Sequence, residues 1–227
     1  MTRIETVVLD MAGTTVTDDG VVLNAFERAW DRLRADEGAQ RREEAIEHVI
    51  ATMGQSKIEV FRGLGDEDSA QALNTAFEEA AAALVGDGAV AAIPGAEDAV
   101  RALRAEGRAV VLTTGFARPT ADAVLRVLGW EDLADAVLTP ADAGRGRPAP
   151  DLNLVAVLRT GASSVSALAV VGDTESDARG GVNAGAGLVA AVLTGQHASE
   201  QALRAAGAQH VLSSVAELPG LLAQLGR

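Results

Sequence analysis

Near its N-terminus the chain runs Val7-Val8-Leu9-Asp10-Met11-Ala12-Gly13-Thr14-Thr15. A short apolar run of this kind predicts a buried strand, and it stops abruptly at a carboxylate followed by a glycine turn. An acidic side chain at the carboxyl end of a first buried strand stands where open α/β sheets hold their ligands. That reading requires further strands and covering helices downstream.

They are present, but not at once. Between about residue 20 and residue 92 the pattern is helical throughout. Asn24-Ala25-Phe26-Glu27 predicts a helix start with a capping box, followed by Phe26, Trp30 and Leu33 at helical spacing. Ala45, Ile46, Val49, Ile50 and Met53 mark a second helix stopped at Gly54. Ser56-Lys57-Ile58-Glu59 predicts another capping box, and Ala72, Leu73, Ala76, Phe77, Ala80 and Leu84 mark a fourth helix. From Ile93-Pro94-Gly95 onward strands are expected at Ala109–Leu112, Ala136–Leu138, Ala167–Val171, Leu188–Val192 and His210–Leu212, with helices between them. Strands alternating with helices imply an α/β fold with a doubly wound, Rossmann-like parallel sheet. The expected organisation is a core of residues 1–19 and 93–227 interrupted by an all-helical cap of residues 20–92.

Composition limits the function. The 227 residues carry a formal charge of −13, which argues against nucleic acid as a partner. Aromatic residues are 3% and tyrosine is absent, so base-stacking platforms are not expected. With no cysteine, any metal must be held by oxygen or histidine. No apolar run approaches a membrane span and no signal pattern opens the chain, so a cytoplasmic enzyme without a membrane partner is the default expectation.

Three more strand ends carry polar residues that the topology would bring beside Asp10. Val110-Val111-Leu112 runs into Thr113-Thr114-Gly115, whose hydroxyls and amides suit phosphoryl oxygens. Ala169-Val170-Val171 runs into Gly172-Asp173-Thr174-Glu175-Ser176-Asp177. Asp173 and Asp177, joined by Asp10, suit a hard, hydrated Mg²⁺. Gly146-Arg147-Pro148-Ala149-Pro150-Asp151 sits between them. Each motif alone has a plain alternative: a turn at Gly13, a helix cap at Thr174, a structural Thr113, a surface Arg147. Four of them in this order are harder to obtain by accident.

Together these motifs resemble those of the haloacid dehalogenase-like (HAD) hydrolases, and Asp-Met-Ala-Gly-Thr-Thr is most similar to the phosphonatase branch, the phosphonoacetaldehyde hydrolases and their relatives. The resemblance covers essentially the whole chain. It implies that Asp10 is a nucleophile toward phosphorus and that Arg147 offsets charge on it and on the phosphoryl group. It further implies that Thr113, Thr114, Gly115 and Gly13 surround that group, while Asp10, Asp173, Asp177 and the Ala12 carbonyl hold Mg²⁺. Phosphatases of the family usually carry a second Asp two residues after the nucleophile; here Ala12 cannot transfer protons.

The cap segment Met53-Gly54-Gln55-Ser56-Lys57-Ile58-Glu59 resembles the Met-Gly-x-x-Lys-Ile segment of the same branch, which implies that Met53 and Lys57 face substrate. There Lys57 would form an imine with an aldehyde, and a helix start together with desolvation favours the neutral amine. Two other readings stay open: a cation that binds a distal phosphate, or a solvated first-turn lysine. The branch usually has His where Val60 stands, Tyr where Phe116 stands and Cys where Val21 stands. The expected activity is Mg²⁺-dependent cleavage of a small phosphonate through an aspartyl phosphate. Hydrolysis of a small phosphate monoester is the alternative, and a non-catalytic phosphate-binding protein on the same scaffold is a third possibility. Homodimers are common in the branch, although nothing in the composition shows one.

Overall fold

A computed structural model describes residues 2–17 and 20–226. The first strand, β1 (Thr6–Asp10), is buried along its whole length. Four helices follow: α1 (Val21–Leu33), α2 (Ala39–Ala51), α3 (Lys57–Arg62) and α4 (Glu67–Gly86). The chain then alternates through α5 (Ala96–Ala105), β2 (Ala109–Thr113), α6 (Arg118–Leu128), β3 (Ala136–Leu138), α7 (Asp151–Thr160) and β4 (Leu168–Gly172). It ends with α8 (Glu175–Ala184), β5 (Leu188–Val192), α9 (Glu200–Ala205), β6 (His210–Leu212) and α10 (Leu218–Gln224). Among the described residues the six strands form one sheet in the order β3-β2-β1-β4-β5-β6, with every pairing parallel.

The pleat explains why both faces need cover. Val7 and Leu9 pack with Val110, Leu112, Ala169 and Val171 on one face, against Val100 and Leu103 of α5 and Leu218 and Leu222 of α10. Val8, Val111 and Val170 point the other way, against Leu152 and Ala156 of α7. Because β1 lies at the centre of the sheet, Asp10 emerges from its carboxyl end with β2 on one side and β4 on the other.

The four helices after β1 form the helical cap. α1 packs along α4, and α3 and the core helix α6 also rest on α4. The two connections between cap and core run side by side: Val16 bridges Ala92, Thr17 N–H donates to the Ala91 carbonyl at 2.7 Å, and Ile93 N–H donates to the Thr15 carbonyl at 2.9 Å. The junction expected after residue 19 lies outside the described residues.

Several helix ends differ from the sequence reading. Helix α1 begins at Val21 behind a left-handed Gly20, so Asn24 lies inside it and caps nothing. Ser56 does occupy the N-cap position of α3, but its side chain makes no capping bond and Glu59 pairs with Arg62 instead. Helix α2 stops at Ala51, two residues earlier than its apolar periodicity suggested, and Gly54 serves the turn beyond it with φ +79°. Asp66 caps α4 by accepting from Ser69 N–H at 2.9 Å.

Candidate active site

The carboxyl ends of β1 and β4 bring three buried carboxylates together. Oxygens of Asp10, Asp173 and Asp177 all lie within 4.8 Å of one another. Arg147 enters from the loop before α7, and its Nη1 donates to Asp10 Oδ1 at 2.5 Å and to Asp177 Oδ1. The arginine is buried along with both partners, so these charge-assisted bonds form largely out of water.

Each carboxylate has a distinct setting. Burial pushes Asp10 up to about 7; the Arg147 charge pulls it down and the Asp177 charge pushes it up again. Burial likewise raises Asp173 well above the carboxylate range, reinforced by Asp10 and Asp177, although Thr14 Oγ1 donates to Asp173 at 3.1 Å. Asp177 is held by the start of α8, where Thr174 donates to it through both its backbone N–H, at 3.0 Å, and its hydroxyl. Burial works against the charge on Arg147, but Asp10 and Asp177 outweigh it and raise its pKa further. Gly13, with φ +84°, lies so close to the Asp173 carboxylate that a side chain there would displace it.

Asp10, Asp173 and Arg147 form the floor of a cavity of about 340 Å³. Its walls include Ala12, Thr114, Gly115 and Phe116 from the core and Met53, Gly54, Gln55 and Lys57 from the cap. Thr113 sits one residue below, its hydroxyl directed to the Leu9 carbonyl at 3.4 Å. Lys57 is only 6% exposed, which removes the solvated reading of this lysine. Its Nζ lies 5.9 Å from the ring centres of both Phe77 and Phe116. His197 also reaches the outer wall of the cavity, whereas His48 bonds the Val60 carbonyl at 2.9 Å. Arg118 is absent from these walls and instead ties α6 to Asp142 at 2.6 Å and to the Val137 carbonyl at 2.9 Å.

The cap meets the core through the turn that carries Met53 to Ser56. A Cβ built on Gly146 would lie 2.7 Å from Ser56 Cβ, and one on Gly115 would lie 2.6 Å from the Gln55 carbonyl oxygen. Gly54 is packed equally tightly against Thr174. Three polar loops of the core thus receive one cap turn with no room between them.

The family model for haloacid dehalogenase-like hydrolases matches residues 4–185. The chain belongs to this family. Among curated HAD relatives it is 31% identical over 204 residues to phosphonoacetaldehyde hydrolase of Bacillus cereus, a match covering 84% of this chain and 76% of the other. It is 32% identical over 208 residues to the enzyme of the same name from Bacillus cytotoxicus, with the same coverage. Among solved structures, a hydrolase from Pseudomonas syringae superposes with a TM-score of 0.84 at 23% identity, over 99% of each chain. A phosphonoacetaldehyde hydrolase-like protein from Oleispira antarctica also reaches 0.84, at 22% identity, over 100% of this chain and 94% of that one. The protein is therefore a hydrolase of the HAD family.

Some residues of this HAD site could not be picked out from the sequence. Thr14 lies in the Asp10 stretch with nothing in the sequence to mark its role, whereas Thr174 takes the helix-cap place that the sequence offered it, accepting from Asp177 N–H at 3.2 Å. Thr194, which donates to the Gly13 carbonyl at 2.5 Å, follows β5 and carried no signal.

Proposed function

We propose that the chain is a Mg²⁺-dependent phosphonatase-like hydrolase, cleaving the phosphorus–carbon bond of phosphonoacetaldehyde or a close relative through a phosphoryl group carried on Asp10. One observation carries this reading: Asp10, followed by Ala12 rather than a second acid, faces the same cavity as the buried Lys57. A leaving group that is carbon needs no proton donor at position 12, but it does need somewhere for the bonding electrons to go. A lysine supplies that by condensing with an aldehyde. The names of the curated relatives agree with it.

In this reading the neutral Lys57 amine adds to the substrate aldehyde and loses water to give an imine. A carboxylate oxygen of Asp10 attacks phosphorus as the P–C bond breaks, and the electron pair passes into the protonated imine as an enamine. Protonation at carbon and hydrolysis free acetaldehyde from Lys57, and a second water cleaves the aspartyl phosphate. Arg147 offsets charge on Asp10 and the phosphoryl oxygens. Thr113, Thr114, Gly115 and Gly13 surround the phosphoryl group, and Met53 contacts the substrate. The donor set fits a hard cation, with three carboxylate oxygens close together and no sulfur or nitrogen ligand among them. Asp10, Asp173, Asp177 and the Ala12 carbonyl would hold Mg²⁺, which when bound supplies positive charge to the phosphoryl oxygens. The same reading divides the chain into a core of residues 1–19 and 93–227 and a cap of residues 20–92.

A second reading, hydrolysis of a small phosphate monoester, is favoured by Val60. That side chain is buried in the cap interior, where an acid–base group assisting Lys57 would otherwise be expected. Phosphate release from phosphonoacetaldehyde and from an aryl phosphate, with Mg²⁺, separates the two for wild type and Lys57→Ala. Release from the phosphonate that vanishes in the variant supports the first reading. Release from the ester alone, surviving the substitution, supports the second.

A further inference from the structure

Helix α4 of the cap carries a carboxylate that none of the motifs includes. Glu78 is half-buried, and it accepts a hydrogen bond from Thr120 Oγ1 at 2.6 Å and another from Ala117 N–H at 3.1 Å, both at the start of core helix α6. A cap side chain thus occupies the place of a helix-start acceptor in the core, where the macrodipole also favours a negative charge. Its sequence neighbour Phe77 stacks on Phe116, the neighbour of Ala117, with ring centres 6.3 Å apart. Lys57 stands over both rings. Two consecutive residues of the cap therefore grip two consecutive residues of the core, and the lysine rests on the seam.

We propose that Glu78 is a positioning residue for Lys57: it fixes the two phenylalanine faces beneath the nitrogen and supplies a counter-charge to that nitrogen whenever it is protonated. The inference rests on Lys57 being the group that meets substrate. It does not depend on whether that nitrogen acts as an ammonium toward an anion or as a protonated imine that withdraws electrons. Aromatic faces and a nearby carboxylate favour the cation in either form. The reciprocal effect is present at Glu78, where burial raises the carboxyl and the Thr120 and Ala117 bonds and the Lys57 charge lower it. The other titratable groups sharing the cavity with Lys57 are Asp10, Asp173 and Arg147 on its floor and Glu175, Arg179 and His197 further out.

The test measures the Lys57 amine directly. Competitive acetylation with acetic anhydride across pH, read by mass spectrometry of the Lys57 peptide, gives its apparent pKa in the full-length protein without any substrate. Glu78→Gln is expected to lower that pKa by roughly one unit, making the amine about tenfold more reactive at neutral pH. Glu78→Asp should restore most of the wild-type value, and Thr120→Val, which keeps the carboxylate, should change it little. A Glu78→Gln protein that is folded by circular dichroism with an unmoved Lys57 pKa overturns the proposal. Should that variant not fold, the reciprocal measurement remains: the ¹³C carboxyl titration of Glu78 in wild type against Lys57→Met. An upward shift of Glu78 in Lys57→Met supports the coupling, because the coupling is symmetric, and no shift overturns it. Loss of imine chemistry in the phosphate-release assay would leave both titrations readable, so the two readings fail separately.

Discussion

At the scale of single residues, Asp10 combines burial with the partnership of Arg147, and both have measurable consequences. Asp10→Asn keeps the shape but removes the carboxylate proposed to attack phosphorus, so phosphate release should fall by on the order of a thousandfold or more. The same carboxyl makes stability depend on pH. Folded, it is raised to about 7 by burial, whereas its ordinary value is 3.8. Between those values the native state holds a proton that the unfolded chain has lost, so this contribution is complete below about pH 4 and disappears as pH rises through about 7. In chelator-treated protein Tm should therefore fall between pH 5 and pH 8, and the fall should be smaller in Asp10→Asn. Mg²⁺ should raise Tm at pH 8 more than at pH 5, because only ionised carboxylates bind it. Equal shifts at both pH values would count against the three-carboxylate site.

At the scale of elements, the turn between α2 and α3 decides how Lys57 is presented. Gly146 precedes Arg147 and faces Ser56, which precedes Lys57, so one missing methyl group sets the spacing of the two cations. Gly146→Ala would bring Cβ within 2.7 Å of Ser56 Cβ, and the cap turn must yield. Displacing a catalytic group by a fraction of an ångström to one ångström reduces turnover by about ten- to a hundredfold. The expected result is a loss of kcat/KM of that size with Tm nearly unchanged. Gly54→Ala should behave differently, since φ +79° is strained for any other residue; a stability loss of about 1 kcal/mol is expected in addition. The turn also shows what sequence periodicity leaves out. The lysine, the glycine and the helix start at Ser56 were all legible, but Ser56 makes no capping bond, because its position is fixed by the core loop pressed against it.

At the scale of the whole molecule, cap and core share one apolar interior. All four phenylalanines form a single chain of ring contacts, Phe26 to Phe61 at 6.0 Å, Phe61 to Phe77 at 5.5 Å and Phe77 to Phe116 at 6.3 Å. Trp30 joins at the cap end, 5.6 Å from Phe26. Phe77 is fully buried at the middle of this chain. Phe77→Ala should cost about 3–5 kcal/mol, and the fluorescence of Trp30 in the cap and Trp130 in the core should change in one denaturant transition. Two separated transitions would show that the interior is not shared.

The sequence by itself determined the sheet, the order of its strands along the chain and the helical insertion, because strand and helix impose periods of two and 3.6 residues that survive without tertiary context. It also determined Asp10, Asp173, Asp177 and Arg147 as a candidate set, since strand ends in an open α/β sheet converge wherever the sheet is parallel. Only the tertiary structure decided that Lys57 is buried over two phenylalanine faces, that Glu78 grips the start of α6 and that three glycines seat the cap turn. Each of these is a contact between segments far apart in the chain, and packing and burial across such distances leave no local period to read.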